Sequence, residues 1–223
     1  MRVVPNLYPA FDRHELVVHA PEHARSFAQL SRSQTALVAE AWRRRRTAAS
    51  AEGYAYVHPF VNEGRAAGAS LAHSHSQLVW LRGPPPAVRA EGGRTCRLCE
   101  LLAAERSEPA RLVAERDGLV ALCPPAGRAP FEVLLAPVAH GGDAFGPALD
   151  PALGLLAELV RALRALEGPV PWNVWLRAGE HWRLELVPRL STFAGMELGA
   201  GIFVVTVAPE DAAASLRGAL EAR

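Results

Sequence analysis

The chain has 223 residues, half of them hydrophobic and 21% charged, with a formal net charge of +1. This suits a globular protein of one large or two small domains, and it carries no global field to attract nucleic acid or an anionic membrane. Every basic residue is arginine, so lysine Schiff-base chemistry is excluded; three cysteines make no disulfide framework, and no apolar run is long enough for a membrane span.

In chain order, Met1 to Asn6 lacks the apolar core of a signal peptide, and a cytoplasmic protein is expected. A strand is predicted over Glu15 to Ala20, then Pro21-Glu-His23, then a long helix from about Ala24 to Ala49. The Arg43 to Arg46 run falls at the end of that helix and reads as a solvated face rather than a nucleic-acid contact. Strands follow near Tyr54 to Asn62 and His73 to Leu81. Proline and glycine crowd the next stretch, which marks a linker at 83–94 between an N-terminal half, 1–82, and a C-terminal half, 95–223.

The second half repeats the plan. A strand ends at Pro137-Val-Ala-His140, and a helix runs from about Pro151 to Leu166 with Asp150 as its N-cap. Strands follow at Trp172 to Arg177 and Trp182 to Val187, and a last helix comes after Pro209-Glu-Asp211. The matching order points to an internal duplication in which the strand of His73, His75 and Gln77 corresponds to that of His181, Arg183 and Glu185.

The densest chemistry lies in Asn62-Glu-Gly-Arg-Ala-Ala-Gly-Ala-Ser-Leu-Ala-His-Ser-His-Ser-Gln77. On a strand, residues two apart share a face, so His73, His75 and Gln77 are expected to point one way with Ser74 and Ser76 behind. Gly64, Gly68 and Ala69 let the backbone approach a ligand and offer N–H groups to an anion. A histidine on such a face can attack an α-phosphorus and leave again as a neutral imidazole. Separately, Cys96-Arg-Leu-Cys99 with His140 and His181 supplies two sulfurs and two imidazoles, a donor set for tetrahedral zinc. The alternative is a pair of buried reduced cysteines beside unrelated histidines. Cys123 has no partner in this scheme and reads as packing.

Asn-x-Gly-x-x-x-Gly-x-Ser followed by His-x-His-x-Gln resembles the active-site segment of the galactose-1-phosphate uridylyltransferases, members of the histidine-triad superfamily. Asn6-Leu-Tyr-Pro-Ala10, His14 to His23, His181 to Arg189 and Ala194-Gly-Met-Glu197 are similar to family segments in the same order. The resemblance implies an α+β fold of two histidine-triad-like repeats, each a curved antiparallel sheet backed by a helix. It implies that His75 is the nucleophile, that Gln77 holds the phosphate of a nucleotidyl-histidine, and that Asn62, Gly68 and Ser70 lie against phosphate. Asn6 and Leu16 match ribose and base contacts, while Tyr8 and Phe11 read more safely as core aromatics.

In resembling enzymes a Lys-x-x-x-Gly-Tyr-Glu segment of the partner subunit holds the hexose, which makes Glu197 a sugar candidate and a homodimer the expected assembly. Here Ser191 and Met196 replace the lysine and tyrosine. The ligand order also matches structural zinc at Cys96, Cys99, His140 and His181. In the first half His23 and His73 are the secondary metal candidates, because the Cys-x-x-Cys pair of many family members lies upstream of this chain's first residue. A metal-free pair, hydrogen-bonded to each other or to Glu22, is the alternative. The expected activity is transfer of UMP from UDP-glucose to galactose 1-phosphate, the ligands being a nucleotide sugar and a sugar phosphate. The alternatives are a phosphorylase or hydrolase of ADP-sugars or dinucleoside polyphosphates, or a shortened inactive relative.

Overall fold

The computed structural model describes residues 1–91 and 95–222. Its strands are β1 (Arg2–Pro5), β2 (His14–Val18), β3 (Tyr56–Glu63), β4 (His75–Leu81), β5 (Leu112–Arg116), β6 (Leu119–Leu122), β7 (Val133–Pro137), β8 (Trp172–Arg177) and β9 (Arg183–Pro188). Its helices are α1 (Arg32–Ala51), α2 (Pro86–Arg89), α3 (Arg97–Ser107), α4 (Leu149–Glu167) and α5 (Pro209–Glu221). The strands form one antiparallel sheet in the order β1-β2-β4-β3-β8-β9-β7-β6-β5.

That order reads as a duplication. The unit β2–α1–β3–β4 recurs as β7–α4–β8–β9, and β3 pairs with β8 at the centre. Phe60 lies opposite Trp175 across that seam; on the outer sides Phe60 faces Gln77 and Trp175 faces Glu185. A pseudo-twofold axis between Phe60 and Trp175 therefore exchanges His75 and Gln77 with Arg183 and Glu185. The repeats share one sheet and one core rather than forming separate layers.

Side-chain alternation decides the faces. Leu78 and Trp80 of β4, Val57 and Val61 of β3, and Val174 and Leu176 of β8 enter the core beneath α1 and α4. His75, Gln77, Phe60 and Trp175 lie on the opposite, open face. In the second half β6 alternates too: Leu119 and Ala121 join the main core, while Val120 and Leu122 meet Leu98 and Leu102 of α3 on the other side. Among the described residues no helix is long and apolar enough to cross a membrane.

Several expectations shift. The long helix begins at Arg32 rather than Ala24, because two capping boxes, Ser26 with Gln29 and Ser31 with Gln34, start a short 3-10 turn and then the helix. The second helix begins at Leu149 with Ala148 at the N-cap position, and the Asp150 carboxylate pairs instead with Arg43. The arginine run lies within α1 and is only partly solvated. Arg43 also donates to the Phe145 carbonyl at 3.0 Å, and Arg45 makes a bidentate pair with Glu15 at 2.8 and 2.6 Å while stacking over Trp80. Strands β1, β5 and β6 and helix α3 were not among the predicted elements. Of the expected linker, Pro86–Arg89 forms α2, and Gly92, Gly93 and Arg94 lie outside the described residues.

Candidate active site and metal centre

The β4 strand begins at His75, not His73, and this separates the histidines. Nδ1 of His75 lies 2.8 Å from the His73 carbonyl. A carbonyl only accepts, so Nδ1 carries the proton and Nε2 keeps its lone pair. Behind the face, Ser76 Oγ accepts from Trp42 Nε1 of α1 at 2.9 Å, which fixes the strand against the helix. Gln77 shares the face with His75, and its Oε1 accepts from His14 Nε2 at 2.8 Å. His14 Nδ1 in turn accepts from the Ala10 N–H at 3.3 Å and lies 3.3 Å from Asn6 Nδ2. With its oxygen engaged, the Gln77 amide has its NH₂ left to donate. Leu16 sits opposite Gln77 in the β2–β4 register, so Asn6, His14, Leu16 and Gln77 form one group.

Sequence reasoning passed over His14 as a site residue. The signal available was its two-residue spacing from Leu16 on one strand face. Tyr8 and Phe11, read as core aromatics, are instead exposed, at 83% and 51%.

The turn before β4 builds the other wall. Asn62 Oδ1 accepts from Asn173 Nδ2 at 2.8 Å across the central seam, and Asn173 also donates to the Ala67 carbonyl at 2.8 Å. Gly64 and Gly68 both have positive φ, +84° and +85°. A Cβ on Gly64 would lie 2.9 Å from Pro171 Cβ and 3.1 Å from its Cα. Gly64→Ala is therefore expected to destabilise by about 3 kcal/mol through backbone strain and the clash. A urea midpoint unchanged from wild type would show that the turn relaxes. Asn62, Gly64, Ser70 and His75 line a common cavity of about 540 Å³, together with Arg25, Arg65 and Arg164.

His73 leaves the His75 face. Its Nε2 donates to the Ala20 carbonyl at 3.1 Å, and its Nδ1 lies 3.4 Å from His23 Nδ1. Arg25 Nε donates to His23 Nε2 at 3.3 Å, which puts the His23 proton on Nδ1, facing the His73 lone pair. Arg25, His23, His73 and Ala20 thus form a continuous hydrogen-bonded chain. Among the described residues no third metal-ligating side chain joins these two histidines.

Beneath them His19 is buried, with Nδ1 2.9 Å from Ser74 Oγ, and its N–H donates to the Ser74 carbonyl at 3.2 Å. Burial first, then His75 and His73, push its pKa down to about 3. Unfolded, it takes a proton near pH 6.5, so its contribution is complete above that pH and is lost as pH falls toward 3. Between pH 7 and 5 this residue is expected to cost about 2 kcal/mol of folding stability. Urea titrations of wild type and His19→Gln at both pH values test this; equal losses in the two proteins would refute it.

At the pseudo-equivalent position the second half has arginine and carboxylate instead of histidine and glutamine. Glu185 takes Arg177 at 2.7 Å, Arg128 at 2.8 Å and Arg183 at 2.9 Å. Burial alone would raise its pKa, but Arg183, Arg177 and Arg128 outweigh burial and hold it below the usual carboxylate value. This half thus keeps the frame of the site while its charges are paired internally.

Cys96, Cys99, His140 and His181 converge, with ligand atoms all within 4.8 Å of one another. Cys96 stands at the N-cap of α3 and Cys99 in its first turn, His140 follows β7, and His181 precedes β9. Cys96 Sγ lies 3.5 Å from His181 Nδ1, and Cys99 Sγ lies 3.3 Å from both His140 Nδ1 and His181 Nδ1. Zinc–sulfur bonds of about 2.3 Å and zinc–nitrogen bonds of about 2.0 Å give tetrahedral edges of about 3.5 Å, so the donors fit such an ion. His181 Nε2 donates to the Pro137 carbonyl at 2.7 Å, which aims the Nδ1 lone pair at the sulfurs. These four residues are placed to hold a metal. Cys123 is buried in the core, where burial pushes its thiol up to about 12.

Residues 9–82 match the family model described as galactose-1-phosphate uridyl transferase, N-terminal domain. Over that third of its length the chain resembles the galactose-1-phosphate uridylyltransferase family. It is 27% identical to the ADP-glucose phosphorylase of Arabidopsis thaliana, over 97% of this chain and 74% of that protein. It is 26% identical to the galactose-1-phosphate uridylyltransferase of Thermotoga maritima, over 91% of this chain and 73% of that protein. Among solved structures, the Arabidopsis ADP-glucose phosphorylase with bound ADP-glucose superposes with a TM-score of 0.83 at 26% identity, covering 97% of this chain and 80% of the other. A uridylyltransferase mutant superposes with a TM-score of 0.89 at 25% identity, covering 99% and 88%.

Glu197 lies away from the strands, in an exposed turn of Met196–Ala200. Its oxygens accept from the Ala194 N–H at 2.8 Å and the Val204 N–H at 3.2 Å, and these bonds hold its pKa below the usual value.

Proposed function

We propose that this protein transfers a nucleotidyl group from a nucleoside diphosphate hexose to an acceptor phosphate through a covalent intermediate on His75. The observation that carries this reading is the His75 Nδ1 bond to the His73 carbonyl, which leaves Nε2 as the nucleophile. The Nε2 lone pair attacks the α-phosphorus and forms a P–N bond as the P–O bond to the β-phosphate breaks, releasing the hexose 1-phosphate. An oxygen of the acceptor phosphate then attacks the same phosphorus, and the P–N electrons return to Nε2. The His73 carbonyl steadies the positive charge on the ring while the intermediate stands. Gln77, oriented by His14, donates to an α-phosphate oxygen, and Asn62, Gly68 and Ser70 line the phosphate path. Asn6 and Leu16 take the nucleoside. Each Glu197 oxygen keeps a lone pair for a sugar hydroxyl, across the homodimer that the family resemblance implies.

ADP-glucose, with inorganic phosphate as acceptor, is the leading pair. The Arabidopsis ADP-glucose phosphorylase aligns along 97% of this chain, and the hexose segment departs from the uridylyltransferase pattern at Ser191 and Met196. UDP-glucose with galactose 1-phosphate is the second reading, favoured by the Thermotoga relative and the family match. The second-half metal is taken to be zinc, with a structural role, because that half has Arg183 where the first has its nucleophile.

Intact-mass spectrometry after incubation with each donor tests the reading. An adenylyl adduct removed by phosphate supports the first pair, and a uridylyl adduct removed by galactose 1-phosphate supports the second. No adduct from either donor overturns the His75 reading.

A further inference from the structure

The cavity beside His75 has an unbalanced charge. Arg25, Arg65 and Arg164 line it together with one carboxylate, Glu63. Glu63 is already committed: its Oε2 accepts from the Phe27 N–H at 2.9 Å, and its Oε1 lies 3.6 Å from Arg164. Arg25 uses its Nε on His23 and keeps its terminal nitrogens. Among the described residues the Arg65 guanidinium has no ion pair or hydrogen bond, whereas Arg164 in the same cavity faces the Glu63 carboxylate. Arg65 is also held by its backbone. It follows Gly64, which is pressed against Pro171 and accepts from the Ala67 and Ala69 N–H groups, both at 3.1 Å. A free guanidinium on a fixed turn, opening into the nucleophile's cavity, is an anion receptor.

We propose that Arg65, assisted by Arg25, is the clamp for the phosphate that leaves and the phosphate that arrives. This rests on the His75 reading for its chemistry. In a double displacement the leaving phosphate departs opposite Nε2, and the acceptor attacks along the same line, so a single subsite serves both. The need for cations there is electrostatic. A dianionic phosphate must approach a phosphorus that already carries a negative oxygen, and two guanidinium groups offset that repulsion. The occupant is therefore a free phosphate or a sugar phosphate rather than water or an alcohol.

The test separates binding from chemistry. Inorganic phosphate and glucose 1-phosphate are titrated calorimetrically into wild type, His75→Ala, Arg65→Ala and the Arg25→Ala/Arg65→Ala double variant. The dissociation constant is expected to rise at least tenfold in Arg65→Ala, further in the double variant, and to stay within threefold in His75→Ala. In parallel, the nucleotidyl adduct is isolated and its discharge followed. Arg65→Ala should raise the phosphate concentration for half-maximal discharge at least tenfold, leave spontaneous hydrolysis unchanged, and be partly rescued by Arg65→Lys. Unchanged phosphate affinity in both arginine variants would overturn the clamp. Arginine-dependent phosphate binding in a protein that forms no adduct would keep the clamp and sink the His75 chemistry.

Discussion

His75→Ala is expected to lower kcat by roughly 10⁴-fold or more while leaving the fold intact. The size follows from what the side chain does. Without Nε2 there is no P–N bond, and the acceptor phosphate would have to displace the hexose phosphate directly, from the side that the imidazole now occupies. Gln77, Asn62 and Ser70 would still bind the donor, so KM should move far less than kcat, and the residual rate would report what phosphate binding alone achieves. The structural cost is small. The substitution removes one hydrogen bond, from Nδ1 to the His73 carbonyl, worth about 1 kcal/mol. Melting within a few degrees of wild type, with adduct and turnover both gone, is the expected pattern. A variant that keeps turnover within tenfold of wild type would move the nucleophile elsewhere.

The sequence carried the features set by local periodicity. The two-residue alternation of β4 placed His75 and Gln77 on one face and Ser76 behind, and the order of elements disclosed the duplication. It also put Cys96, Cys99, His140 and His181 in one list, and the fold brings them within 4.8 Å. What was not legible depends on contacts between distant segments. His73 departs from the His75 face because the strand starts two residues later, where Ser74 is clamped by His19 from β2's far end. Asp150 loses its role as a cap because Arg43, on the other helix, takes its carboxylate. His14 becomes part of the site only because β2 pairs with β4 in a register that sets Leu16 opposite Gln77. In the β5–β6 hairpin β6 is buried on both sides, so it reads as a short apolar run with no period to identify it.

The metal centre gives the second large effect. Cys99→Ser is expected to abolish zinc retention and to lower the melting temperature by about 10 °C. The four donors tie together three places distant in sequence: the first turn of α3, the turn after β7 and the entry to β9. The apolar contact beneath α3 is small, with Leu98 and Leu102 meeting Val120, Leu122 and Ala136, so a bound ion would supply much of what fixes that helix. An ion held a thousandfold above its dissociation constant contributes about 4 kcal/mol, and a domain of this size shifts by roughly 2–4 °C per kcal/mol. Elemental analysis should find one zinc per chain in wild type and none in Cys99→Ser. His23→Ala separates the two halves. Arg25 sets the His23 tautomer so that its Nδ1 proton, not a lone pair, faces His73, and losing that ring should leave the zinc content at one per chain. Two zinc ions in wild type falling to one in His23→Ala would mean that the histidine pair ligates metal, and that the hydrogen-bonded chain from Arg25 to Ala20 gives way to it.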